Sequence, residues 1–239
     1  MSKNAAISIA SIVGAIVLIV AVALLVVRPW ESAAPQAGGS ESSVSAIDET
    51  THVLDDAGEG APVVVEFFDY ECPSCGQFHP IVEELRAQYE GQVTFAVRYF
   101  PLEMHPNAVP AAAAAEAAAQ QGQFEAMHSR IFETQAEWAG TQDAAATFRG
   151  YAEELGLDMA AYDEAVASEA TADRIAHDYR AGVELGVQST PTFIIGDKLV
   201  PGAIGYDQLK AYVDSALAKA PAPAAPSGDS GISTSVPPQ

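Results

Sequence analysis

The sequence is poor in cysteine and in basic residues. Its 239 residues include two cysteines, and 11 Lys+Arg stand against 32 Asp+Glu, a formal net charge of −21. Two thiols are too few for a disulfide-dense small scaffold or a four-thiolate zinc site. The shortage of Lys and Arg excludes nucleic-acid binding as a default, because neutralising phosphates needs a basic footprint. It also argues against lying flat on an anionic membrane surface. No Walker loop, GxGxxG or GxSxG is present. No fixed-period repeat is found.

What little charge the N-terminal stretch carries brackets an apolar run. Lys3 and Arg28 precede the first acid, Glu31, and Ala5 to Val27 is uncharged. About 20 apolar residues in a helix cross the hydrocarbon core, whereas a signal-peptide core needs only ~7–15. The run therefore predicts a transmembrane helix. Lys3 favours a cytoplasmic N-terminus, and Trp30 stands where an interfacial aromatic belongs. Two alternatives are a buried core helix and a cleaved signal, for which Ser32-Ala33-Ala34 offers small residues. Anchor or signal, the acidic remainder is exported. The expected organisation is a stub and anchor over 1–30, then a Ser/Ala/Gly/Pro-rich flexible linker over 31–49. A folded part over 50–219 follows, and then a Pro/Ala/Ser-rich disordered tail over 220–239.

Within the folded part, residues 62–68 read as a buried strand, 73–89 as a helix and 92–100 as a second strand. Five helical segments follow: 107–120, 124–135, 144–155, 159–168 and 171–185. Residues 191–200 read as a hairpin turning at Gly196-Asp197, and 206–217 as a closing amphipathic helix. The layout is β-α-β, an all-helical insert over about 105–187, then β-β-α. This is an α/β fold with a small sheet and an inserted helical domain, preceded by one transmembrane helix.

Both thiols fall in Cys72-Pro73-Ser74-Cys75, between the first strand and its helix. As a zinc site the pair, even with His79, lacks a distant second knuckle. As a structural disulfide it closes a short loop and removes little denatured-state entropy. The redox reading explains the placement. Cys72 precedes a helix N-terminus, where orphan N–H groups and the dipole stabilise a thiolate. Pro73 fits the first helical turn, Ser74 offers a hydroxyl donor toward the sulfur, and Cys75 is the resolving thiol. No metal or cofactor is called for. His79, one turn past Cys75, is either a charge partner for the sulfur or a solvated helix residue. Asp69 and Glu71 flank the pair and, as exposed and screened charges, would oppose the thiolate in part. Asp55, Asp56 and Glu59 read as a solvated acidic loop.

Three segments resemble the DsbA-like branch of the thioredoxin superfamily, over roughly residues 63–217. They are Val65 to Cys75, then Tyr99-Phe-Pro-Leu102 with His105-Pro106-Asn107-Ala108, and Ser189 to Gly196. The resemblance implies a thioredoxin fold interrupted by a helical domain, and oxidation or isomerisation of exported proteins. It implies that Thr190-Pro191 is a cis-Pro loop facing the cysteines and pairing with substrate backbone. From the sequence alone, Pro191 is a trans proline at a strand start. Many relatives have Gly where Ser189 stands. The resemblance also implies that Glu66 is a buried acid handling protons for the dithiol. Ordinary strand alternation leaves open that Glu66 points outward.

The favoured expectation is a membrane-tethered thiol oxidase with its catalytic domain outside the cytoplasm. It would donate the Cys72–Cys75 disulfide to reduced exported proteins, and the resemblance implies that an integral-membrane disulfide-generating oxidoreductase recharges it. The alternatives are a reductase or isomerase using the same pair, and a non-catalytic chaperone or binding domain.

Overall fold

A computed structural model describes residues 45–202 and 204–220. Its centre is a five-stranded sheet in the order β1-β3-β2-β4-β5. Strand β2 (Val63–Phe68) pairs in parallel with β3 (Thr94–Tyr99), Val65 lying opposite Ala96. On its other side β2 pairs antiparallel with β4 (Thr192–Ile195), Glu66 opposite Phe193. Strand β5 (Lys198–Pro201) completes the hairpin. The apolar run in β2 reflects burial on both faces, as a central strand requires. Val64 joins Phe78, Leu85, Phe193 and Leu209 on one face, and Val65 and Phe67 join Phe100 and Ile194 on the other.

The first face is covered by α1 (Pro73–Gln88) and α8 (Tyr206–Leu217), which share that cluster. Between β3 and β4 runs the helical insert. Its helices are α2 (Ala108–Ala119), α3 (Phe124–Glu133), α4 (Gln135–Trp138), α5 (Ala145–Glu154), α6 (Met159–Val166) and α7 (Glu169–Glu184). Helix α2 is nearly all alanine and has buried alanines around most of its circumference. Small side chains let its neighbours approach closely, and alanine's helix propensity holds it together. The insert's core is continuous with Phe68, Tyr70, Cys72 and Cys75.

Four expectations are corrected. An edge strand, β1 (His52–Asp55), pairs antiparallel with β3; four residues are too few to show a period. The folded part starts before Thr50. Ala46 and Ile47 pack against the Val65 cluster, and the Asp48 carboxylate lies 2.8 Å from both Arg98 Nη2 and His177 Nε2. Residues 45–49 are therefore not linker. Asp55 is not a free loop acid: it ends β1, and Arg86 Nε donates to it at 2.6 Å. The segment read as one helix over 124–135 breaks at Thr134, and Gln135 starts the separate α4. Among the described residues no helix is long and apolar enough to cross a membrane. The Ala5–Val27 run, residues 31–44 of the linker and the tail after Ala220 lie outside the described residues.

Candidate active site

Cys72 is the N-cap residue of α1, and Pro73 occupies the first turn. Helix formation thus leaves free N–H groups aimed at the Cys72 sulfur. Both cysteines are free thiols, and both are buried. The Cys75 thiol donates to the Cys72 sulfur, and the N–H groups of Cys75 and Ser74 add to it. Together they outweigh burial and bring Cys72 down to about 5 from 9.0. Ser74 therefore acts through its backbone N–H and not, as predicted, through its hydroxyl; its side chain is exposed. Cys75 moves the opposite way. Burial, the hydrogen bond to Cys72 and the nearby Glu66 push it well above the ordinary thiol value. The Asp69 N–H lies 3.5 Å from its sulfur.

The Thr190–Pro191 peptide is cis, as the resemblance implied. Its loop faces the pair: the Cys72 thiol is 3.4 Å from the Thr190 carbonyl. The Thr190 hydroxyl also favours the Cys72 anion, but makes no well-aligned hydrogen bond in this dithiol geometry. Behind the loop, Gly202 N–H donates to the Pro191 carbonyl at 2.7 Å. A Cβ at Gly202 would overlap that carbonyl, so glycine is required by close approach.

Glu66 is buried beneath the pair, 5% exposed, and does not point outward. Burial, with Glu83 and Cys72 as like charges, raises its carboxyl to about 8 from 4.5. It is mostly protonated at neutral pH and available as a proton donor. His79 matches neither reading of the sequence. It is buried, stacks on Phe132 at 4.9 Å, and meets His128 at 5.3 Å. Burial lowers its pKa, so it is a neutral packing residue and not a charge partner of either sulfur.

The flanking acids are also corrected. Asp69 and Glu71 are buried, not exposed, and neither is among the main influences on the Cys72 ionisation. The Asp69 carboxylate accepts from Glu71 N–H (2.7 Å), Leu102 N–H (2.8 Å) and His105 Nδ1 (2.7 Å). That of Glu71 accepts from Asn107 N–H (2.5 Å), Asn107 Nδ2 (2.9 Å) and Gly140 N–H (2.8 Å). Both tie the turn before Cys72 to the insert. His105 and Asn107 lie in a segment that carried the resemblance, which was the available signal for this role.

A parallel β-α-β followed by an antiparallel hairpin and helix, with a CxxC pair at the first helix N-terminus and a cis-Pro loop opposite, defines a thioredoxin-fold dithiol protein. The chain belongs to the thioredoxin family, whose model matches residues 51–215. Solved structures agree. A thioredoxin-like oxidoreductase from Silicibacter pomeroyi DSS-3 is 31% identical with a TM-score of 0.63, covering 74% of this chain and 98% of that one. The catalytic domain of Proteus mirabilis ScsC is 25% identical with a TM-score of 0.59, covering 72% and 92%. Oxidised BdbD from Bacillus subtilis shares the fold, with a TM-score of 0.63 at 24% identity, covering 71% and 94%. Among curated proteins, the Na(+)/H(+) antiporter NhaA 3 of Salinispora tropica is 42% identical over 162 residues, 67% of this chain and 24% of that protein. The antiporter NhaA 1 of Salinispora arenicola is 40% identical over 160 residues, 66% and 24%. The chain spans about a quarter of the length of these relatives.

Proposed function

We propose that this chain is a DsbA-like thiol-disulfide oxidoreductase that donates the Cys72–Cys75 disulfide to exported proteins. The observation that carries the reading is the split within the pair: Cys72 down to about 5, Cys75 well above the ordinary value. A stabilised Cys72 thiolate favours the reduced form and makes the disulfide oxidising. In the forward step a client thiolate attacks Cys72 Sγ and the Cys72–Cys75 bond breaks. Cys75 leaves and takes a proton from Glu66. The client's second thiolate then attacks the client sulfur of the mixed disulfide, and Cys72 leaves as thiolate. The client loses two electrons and the pair gains them. An integral-membrane oxidoreductase takes those electrons in turn and restores the disulfide.

The proposed setting is the outer side of the cell membrane, with the chain held by the Ala5–Val27 run. Disulfide donation belongs in an oxidising compartment, and a membrane partner is most easily met by a tethered domain. A reduced, unfolded two-cysteine client tests the chemistry. Cys72→Ser abolishes oxidation of the client, and so does Cys75→Ser, because neither variant can form the disulfide that is donated. Oxidation that survives Cys72→Ser overturns the reading. Activity confined to holding clients, unchanged with both cysteines replaced, would make the protein a chaperone instead.

A further inference from the structure

Gln135 opens the four-residue α4, 63 positions after Cys72. Its Nε2 donates to the Tyr70 carbonyl at 2.7 Å and to the Cys72 carbonyl at 2.9 Å. Both hydrogens of one amide nitrogen are thereby used. The amide lies against Gly76, where a Cβ would overlap its Oε1 and Cδ. Gln135 is wedged between the Tyr70–Cys72 turn and the first turn of α1.

That turn needs an external hold. Cys72 is extended, with φ −67° and ψ 120°, and has no side-chain cap. As N-cap it stands half outside the helical ladder, so α1 alone does not fix the direction of its side chain. Asp69 and Glu71 anchor the turn upstream of Cys72. Among the described residues, Gln135 is the one side chain that hydrogen-bonds the Cys72 backbone.

We propose that Gln135 is a positioning residue for the thiol chemistry: its amide fixes the Tyr70–Cys72 turn so that the Cys72 sulfur faces the N–H groups at the start of α1. The proposal rests on Cys72 being the reacting thiol. It makes the insert part of the redox machinery and not only a cover over the sheet. Gly76 belongs to the same device, because only its missing Cβ admits the amide.

The test titrates the Cys72 thiolate by its ultraviolet absorbance in the full reduced chain, alongside the thermal midpoint. Gln135→Met keeps the length of the side chain and removes both donors. Gly76→Ala displaces the amide from the other side, although alanine is the better helix former. Each variant raises the Cys72 titration midpoint by about one pH unit, the size of one weakened hydrogen bond to a charge. The double variant shifts no further than either single one, because both break the same contact. If Gln135→Met does not fold, Gly76→Ala carries the test. Midpoints that stay at the parent value in the folded variants, whatever the thermal midpoint does, overturn the positioning role. A parent chain whose Cys72 titrates like an ordinary thiol overturns the functional reading, and this inference with it.

Discussion

At the scale of the residue, the site runs on ionisable groups pushed in opposite directions. Glu66 is raised to about 8 from 4.5. Between those values the folded protein holds a proton that the unfolded chain releases, so this group's contribution to stability falls as pH rises through the window. Cys72, lowered to about 5 from 9.0, has the opposite sign. Its contribution is present above 9 and is lost as pH falls through 5. In a Cys72→Ser background, the pH dependence of urea unfolding should keep a Glu66 component between about 4.5 and 8, and Glu66→Gln should remove that component. With both cysteines intact, Glu66→Gln should slow the release of Cys75 by about 100-fold at pH 7, the usual worth of a positioned general acid. An unchanged stopped-flow rate would remove Glu66 from the chemistry. Glu66 was legible through the resemblance, since strand alternation alone left it open to point outward. Asp69 and Glu71 were misread because their donors, Leu102, His105, Asn107 and Gly140, are remote in sequence. His79 was misread because its partners Phe132 and His128 belong to another helix.

At the scale of the element, the insert holds the active-site turn at each of its residues. Asp69 and Glu71 are held by carboxylate hydrogen bonds, Tyr70 by His128 Nδ1 at 2.9 Å from its hydroxyl, and Cys72 by Gln135. Glu71→Ala strands three donors at once, two of them from Asn107. The expected cost is about 2–4 kcal/mol of unfolding free energy, since each buried unpaired group loses its desolvation compensation. Urea denaturation checks it, and a loss below about 0.5 kcal/mol, typical of a surface site, would contradict the burial. The long elements were legible from period and punctuation. The edge strand β1 was not, because four residues show no alternation, and its position is fixed by pairing with β3. The break at Thr134, directly before Gln135, was also hidden.

At the scale of the whole molecule, the order β-α-β, insert, β-β-α could be read because the hydrophobic period changes at Gly and Pro boundaries. The start of the folded part could not. Asp48 is placed by Arg98 and His177, and neither is its neighbour in sequence. A buried ion pair, Arg98 Nε to Asp178 at 2.6 Å with both side chains fully buried, then fastens β3 to α7. The sheet and insert thus form one frame around the thiols, and that frame stabilises the reduced pair through Cys72. The measurement that tests this most directly is the reduction potential of the Cys72–Cys75 couple in glutathione buffers. A stabilised thiolate leads us to expect a value of about −120 to −180 mV, among oxidants and isomerases. A value near about −270 mV would mean that the protein reduces its clients, and would contradict disulfide donation.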